Sequence, residues 1–150
     1  MRIVIQRVSE ASVTIDQRIK SKITNGLLIL VGFEEADNME DVEWISRKIC
    51  NLRVFNDSEG KMNLSIQETQ GEMLVISQFT LHASTKKGNR PSFIKAAQPE
   101  MAIPLYESFI KLLELNRTGK VFSGEFGADM KVALINDGPV TICIDSKNRE

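Results

Sequence analysis

The run NGLLILVGF, residues 25–33, decides how the rest of the chain is read. From Leu27 to Phe33 it offers a polar side chain to neither face, so a strand made of it needs cover on both sides and belongs at the centre. Asn25-Gly26 in front of it is a strong hairpin signature, which makes RIKSKIT (18–24) the preceding strand. Further upstream, RIVIQRV (2–8) sets Ile3 and Ile5 on one face and Arg2 and Val4 on the other, the alternation of a half-buried strand. ASVTID (11–16) reads as another strand.

Downstream of Gly32 the hydrophobic period changes. Asp37 or Asn38 can cap a helix in which Val42, Ile45, Ile49 and Leu52 share a stripe, Asp41, Glu43 and Lys48 face water, and Trp44 packs at the edge. RVF (53–55) is a short strand, NDSEGK (56–61) a turn, and EMLVISQFTL (72–81) a second central strand. HASTKKGNRPSF (82–93) reads as a long polar loop. A second helix spans about Pro99 to Leu115 with Tyr106, Phe109, Ile110 and Leu113 inward; Pro104 calls for a later start or a bend. Strand character returns in GKVFSGEFG, MKVALIND and PVTICID. Two helices among many short strands predict an α+β domain covering 1–150: a largely antiparallel, barrel-like or stacked sheet with both helices outside.

At 150 residues and 42% hydrophobic content the chain can bury a core without staples. Nineteen basic against twenty acidic residues leave a net charge of −1, so a polyanion has to be met by a local patch. The widely separated Cys50 and Cys143 read as buried, reduced thiols, which points to the cytoplasm. A charge at Arg2 excludes a signal h-region, and no apolar run reaches the roughly twenty residues of a membrane span. Neither metal-ligand spacing nor a nucleotide-binding glycine pattern occurs, so neither cofactor nor metal is expected.

Three stretches carry candidate chemistry. SQFTL (77–81) ends an apolar strand with two hydroxyls and an amide: core residues whose Ser and Thr bond their own backbone, or else a nucleophile such as Thr80 or Ser77, or a pair of backbone N–H groups that stabilise an oxyanion. His82, the single histidine, shares a strand face with Thr80 but has no evident acid to orient it, and such a residue at a loop entrance is expected to be solvated. Lys86, Lys87, Arg90 and Lys95 are either a solvated run or a grip on phosphates. In INDGPVT (135–141), Asn136, Asp137 and Gly138 suit a turn and Pro139 can head a strand; alternatively the Gly-Pro carbonyls are held out of the ladder.

QRVSEASV at the start, SQFTL with KKGNRPSF in the middle and FGADMKVALINDGPVT near the end, in that order and spacing, closely resemble the D-aminoacyl-tRNA (D-tyrosyl-tRNA) deacylase family over essentially the whole chain. SQFTL and NDGPVT are its two signatures. The resemblance implies a homodimeric hydrolase of the ester between a D-amino acid, or glycine, and the terminal adenosine of tRNA. It implies that Ser77, Gln78, Phe79 and Thr80 line the catalytic strand, with N–H groups near Phe79 and Thr80 on the ester carbonyl. Phe126, Gly127 and Met130 match the adenine-holding positions, and Arg7 matches a residue that braces the Gly-Pro loop. A cis peptide between Gly138 and Pro139 is implied as well, reaching into the partner subunit's site, with two carbonyl oxygens turned together toward the substrate ammonium. An L side chain then collides with that backbone. Either water attacks with help from the ribose 2′-hydroxyl, or Thr80 forms an acyl-enzyme. A dimeric RNA-binding barrel without catalysis, using Lys86, Lys87 and Arg90, and an esterase built on Ser77 or Thr80 with His82 are the competing readings.

Overall fold

A computed structural model describes residues 1–116 and 119–149. Its spine is β1 (Arg2–Ile15), one unbroken strand where two were expected from the sequence. The short polar step Ser9-Glu10 is absorbed as a register shift instead of ending the strand. Along one edge β1 pairs antiparallel with both β2 (Arg18–Ile23) and β3 (Gly26–Gly32), and along the other with β8 (Lys131–Asp145).

Asn25-Gly26 is therefore not a hairpin. β2 and β3 follow each other along the same side of β1 without reversing, and the tight turn is Asp16-Gln17, whose φ values of 48° and 63° are those a two-residue type I′ turn requires. Gly26 is needed for another reason: a Cβ there would stand 1.9 Å from the carbonyl oxygen of Glu72.

β3 is central, as its doubly apolar sequence requires, lying between β1 and β6 (Glu72–Ser77). The pairs of β6 with β3 and of β7 (Val121–Ser123) with β6 are parallel, and the other strand pairs are antiparallel. Parallel neighbours need long crossovers, and these carry the two long helices, α1 (Met39–Asn51) and α3 (Pro99–Leu115). The first crossover also holds a two-stranded ribbon, in which the short strand expected at 53–55 appears as β4 (Phe55–Asn56) and pairs across the expected turn with β5 (Met62–Leu64); β5 and the single turn α2 (Ile66–Thr69) were not expected from sequence.

Leu27, Ile29 and Val31 of β3 join Val42, Ile45 and Ile49 of α1 and Tyr106, Phe109 and Leu113 of α3 in the main core. Leu28, facing the other way, enters a second cluster with Val13, Ile23, Leu74 and Ile76 inside the curl of the sheet. The curl brings β2 round to β7, where the Ser21 hydroxyl donates to the Ser123 carbonyl at 2.8 Å and nearly closes the barrel.

Helix α1 begins at Asn38, which caps it in a reciprocal box with Asp41. Asp41, expected in water, is buried: its carboxylate accepts from the Asn38 N–H at 2.9 Å and from Lys147 Nζ at 2.7 Å. Burial would raise its pKa, but those bonds more than reverse the effect and hold the carboxyl below its ordinary value. Helix α3 starts at Pro99, and Pro104 is tolerated on its exposed side, where the unbonded carbonyl one turn earlier can face solvent. Cys50 is buried as expected, whereas Cys143 is exposed, because it lies on the outward face of β8, the strand at the open edge of the sheet.

Candidate active site

The carboxyl ends of the parallel neighbours β3 and β6 lie side by side, the position in an open sheet where loops diverge and leave a crevice. A pocket of about 270 Å³ opens there. It is lined by Gly32 at the end of β3, by Ser77 at the end of β6 with Gln78 and Phe79 after it, and by Phe126 and Met130 from the chain segment after β7, with Ala97 just before α3 and Ala102 in its first turn as one wall. Two sequence segments about fifty residues apart are thus joined by topology.

The expected strand 72–81 stops at Ser77. Gln78 N–H still donates to the Val31 carbonyl at 2.7 Å, and residues Phe79–His82 then wind into a 3₁₀ turn. The N–H groups of Phe79 and Thr80 open this turn, and they have no hydrogen-bond partner among the described residues. Both stand next to the pocket as free donors. The Thr80 hydroxyl lies outside the pocket lining and accepts a short hydrogen bond from Gln78 Nε2.

Gly32 makes this close packing possible: a Cβ on it would sit 2.7 Å from the Gln78 carbonyl oxygen and 3.1 Å from the His82 ring. His82 is not solvated, as the loop-entrance reading expected. It is 1% exposed beneath the turn, with neither ring nitrogen hydrogen-bonded among the described residues, because the 3₁₀ winding rolls it inward. Its supposed shared strand face with Thr80 does not exist.

The opposite wall is a type II turn, Glu125 to Ala128, closed by Ala128 N–H to the Glu125 carbonyl at 3.2 Å, with Gly127 at φ 79° where that turn needs a residue of positive φ. Phe126 leans on Tyr106 of α3, ring centres 5.8 Å apart, and Tyr106 donates to the Val75 carbonyl at 3.0 Å. Burial pushes the Tyr106 phenol up to about 12, so it remains a donor at any working pH. Met130 crosses over Gly124, where a Cβ would come within 2.4 Å of its sulfur. No side chain in the pocket lining carries a group that titrates near neutrality.

The Gly138–Pro139 segment does not line this pocket. Opposite the single residue Arg7, residues 137–140 leave the β1–β8 ladder: Gln6 pairs with Thr141 and Val8 with Asn136. Strand β8 thus continues past a bulge, and the chain does not turn back at Asn136. The Gly138–Pro139 peptide is cis, and Gly138 has φ 155° with no room for a Cβ, which would meet the Val140 N at 2.8 Å.

Two residues hold the bulge in place. Asn136 closes its base, its side chain accepting from Val140 N–H at 2.8 Å and donating to the Val140 carbonyl at 3.1 Å. Arg7, 7% exposed, donates through Nε to the Asp137 carbonyl at 2.7 Å and through Nη1 to the Val54 carbonyl at 2.6 Å. Asn136 was expected from sequence only as a turn residue, and Gly32 and Ala102 not at all as site residues. Asn at the start of a Gly-Pro turn was the one available cue for the first, and the other two are small residues whose role is to leave space.

Lys86, Lys87 and Arg90 sit on an exposed loop closed at its base by paired Ser84–Ser92 backbone bonds of 2.8 and 2.9 Å. None of the three forms an ion pair among the described residues. The described residues hold no cluster of three or more potential metal ligands and no helix long and apolar enough to cross a membrane.

Against known proteins, residues 4–145 match the family model described as D-Tyr-tRNA(Tyr) deacylase. The chain is 66% identical to the D-aminoacyl-tRNA deacylase of Bacteroides fragilis (strain YCH46), over 100% of both chains. It is 65% identical to the enzyme of the same name from Flavobacterium psychrophilum, again over 100% of each. A solved structure titled c-Myc DNA Unwinding Element Binding Protein superposes with a TM-score of 0.92 at 41% identity, covering 97% of this chain and 98% of that one. A probable eukaryotic D-amino acid tRNA deacylase shares the fold at TM-score 0.81 and 16% identity, over 95% and 97% of the two chains.

Proposed function

Because the chain belongs to the D-Tyr-tRNA(Tyr) deacylase family and is a D-aminoacyl-tRNA deacylase, an ester hydrolase, we propose that it works as a cytoplasmic homodimer in which two subunits build each active site. The terminal adenosine of tRNA enters the pocket against Phe126, Gly127 and Met130, and the ester carbonyl lies on the Phe79 and Thr80 N–H groups beside Ser77 and Gln78. The Gly138–Pro139 loop of a second copy supplies carbonyl oxygens to the substrate ammonium, with Arg7 holding that loop. Lys86, Lys87 and Arg90 take phosphates of the acceptor end.

The observation that carries this reading is a pocket uniting Ser77–Phe79 with Phe126–Met130 while the Gly-Pro bulge of the same chain stands outside it. A loop that is rigidly braced but turned away from its own site supports a role in another copy's site.

With ammonium and ester both gripped, the α-carbon can point its side chain either to solvent or into the Gly138–Pro139 backbone. A D residue takes the first direction and an L residue the second, so selection is by collision. Glycine has no side chain to reject and is cleaved as well.

The shortage of titratable groups in the lining favours water as the nucleophile, activated by the substrate's own 2′-hydroxyl, with the tetrahedral oxyanion on the two N–H groups. The Thr80 acyl-enzyme route is disfavoured by the engagement of its hydroxyl with Gln78 and by the burial of His82. Deacylation of matched D- and L-tyrosyl-tRNA tests the proposal. Fast cleavage of the D ester alone is expected. Equal rates defeat the collision argument, and tight binding of uncharged tRNA without cleavage selects the binding-only barrel.

A further inference from the structure

Phe79 has two roles in the geometry. Its backbone opens the 3₁₀ turn, while its ring lines the pocket mouth and is 56% exposed. That ring does not stand alone: Phe93 meets it edge-on, centroids 5.1 Å apart and planes at 74°, and is itself 38% exposed. A pair of large apolar rings left in water at the rim of a pocket is costly unless something covers it.

The pair is also fixed in position. Phe93 directly follows the Ser84–Ser92 clasp, its carbonyl accepts from Ala96 N–H at 3.0 Å, and Ala97 N–H ties the segment to the Phe33 carbonyl at 2.9 Å. The ten-residue stretch from Lys86 to Lys95 that contains this ring carries four exposed cations, Lys86, Lys87, Arg90 and Lys95. Rigid aromatic faces beside unpaired positive charge are the two ingredients of a single-strand nucleic-acid platform: stacking holds the base, and the cations follow the backbone.

Resting on the pocket reading above, we infer that the Phe79–Phe93 pair is a second nucleotide subsite that stacks the base preceding the terminal adenosine. The order along the surface is then adenosine pocket, aromatic pair, basic loop, matching terminal nucleoside, penultimate base and upstream phosphates. Because any base has a π-face, the subsite selects for an unpaired 3′ extension and not for sequence.

Phe93→Ala is the test, since Phe93 lies outside the pocket lining. Steady-state kinetics on D-tyrosyl-tRNA should show KM raised about tenfold, the order expected for losing one stacked base, with kcat little changed. The minimal substrate 3′-O-D-tyrosyl-adenosine, which has no penultimate nucleotide, should be cleaved by the variant as by the unaltered protein. Phe93→Trp should restore the lower KM. An arm needing no variant uses D-tyrosyl-tRNA with an abasic penultimate nucleotide, for which the unaltered protein should show the same rise in KM.

Equal losses on tRNA and on the minimal substrate would assign the ring to the reacting centre and overturn the inference. So would a loss on D-tyrosyl- but not D-alanyl-adenosine, which places the amino-acid side chain on the rings, or dissociation of the Phe93→Ala dimer, which places them in the subunit contact. An abasic substrate handled like the intact one also refutes it. Failure of the unaltered protein to cleave either ester would instead reject the underlying reading of the pocket.

Discussion

Replacing Arg7 by Met keeps most of the apolar stem and removes the guanidinium, so the consequence can be worked bond by bond. Lost are the 2.6 Å bond to the Val54 carbonyl, the 2.7 Å bond to the Asp137 carbonyl and a weaker 3.3 Å contact with Asn56 Oδ1. Val54 is 5% exposed, so its carbonyl is stranded away from water, at about 1–3 kcal/mol. The Asp137 carbonyl lies on an exposed bulge and can be hydrated, which limits that loss to about 0.5–1.5 kcal/mol. The 3.6 Å ion pair to the Asp137 carboxylate, 58% exposed, adds little in high dielectric.

Relief of the desolvated guanidinium offsets part of the sum, leaving about 2–3 kcal/mol of destabilisation, readable as a lower urea midpoint at unchanged slope. An ordinary domain stays folded through such a loss. Any larger fall in deacylation therefore reports on the position of the Gly138–Pro139 loop, and kcat/KM on D-tyrosyl-tRNA should drop by about ten- to a hundredfold. Full activity in a destabilised Arg7→Met protein would refute the claim that the braced loop serves the active site. An unchanged midpoint would refute the claim that these bonds support the fold.

Three further outcomes follow from the same geometry. Gly32→Ala should cost about 1–3 kcal/mol, because its Cβ meets the Gln78 carbonyl at 2.7 Å and backbone cannot yield as a side chain does; unfolding and kcat/KM should both worsen as the 3₁₀ turn is pushed out of place. Thr80→Ala should keep most of its activity, whereas a terminal 2′-deoxyadenosine substrate should lose at least about a hundredfold in rate; a folded but dead Thr80→Ala protein would favour the acyl-enzyme. Asp41 is held below its ordinary 3.8 in the folded state, so its contribution is present above that value and lost as pH falls through the folded pKa; the Lys147 ammonium, raised by its bond to Asp41, contributes until pH climbs past 10.5. The gap in urea midpoint between the unaltered protein and Asp41→Asn should accordingly be wide at neutral pH and shrink below about pH 4.

Elements with strong internal periodicity were legible. The doubly apolar Leu27–Gly32 run is the central strand because it cannot satisfy itself with one buried face, and the stripes of α1 and α3 place them on the sheet. Misreadings gathered where a local preference was overruled by a distant partner. Asn25-Gly26 has the composition of a turn, but its glycine is demanded by the approach of Glu72, while the actual I′ turn uses Asp16-Gln17 without any glycine. SQFTL continues an apolar strand on paper, yet β6 ends at Ser77 because its parallel neighbour β3 ends at Gly32, and the freed chain winds His82 inward. Asp41 looked like a solvated helix residue until Lys147, more than a hundred residues away, reached it.

By itself, then, the residue order determined the alternation of apolar and polar positions, the helix caps and the family signatures, all properties of neighbours within a few bonds of one another. Tertiary structure alone decided that β3 and β6 run parallel, that their carboxyl ends open the pocket, and that Asn136 joins Arg7 in holding residues 137–140 out of the β1–β8 ladder. The physical reason is that register and crossover direction are set by which buried faces and unpaired backbone groups can be satisfied together across the whole chain, a condition that no short window of residues contains.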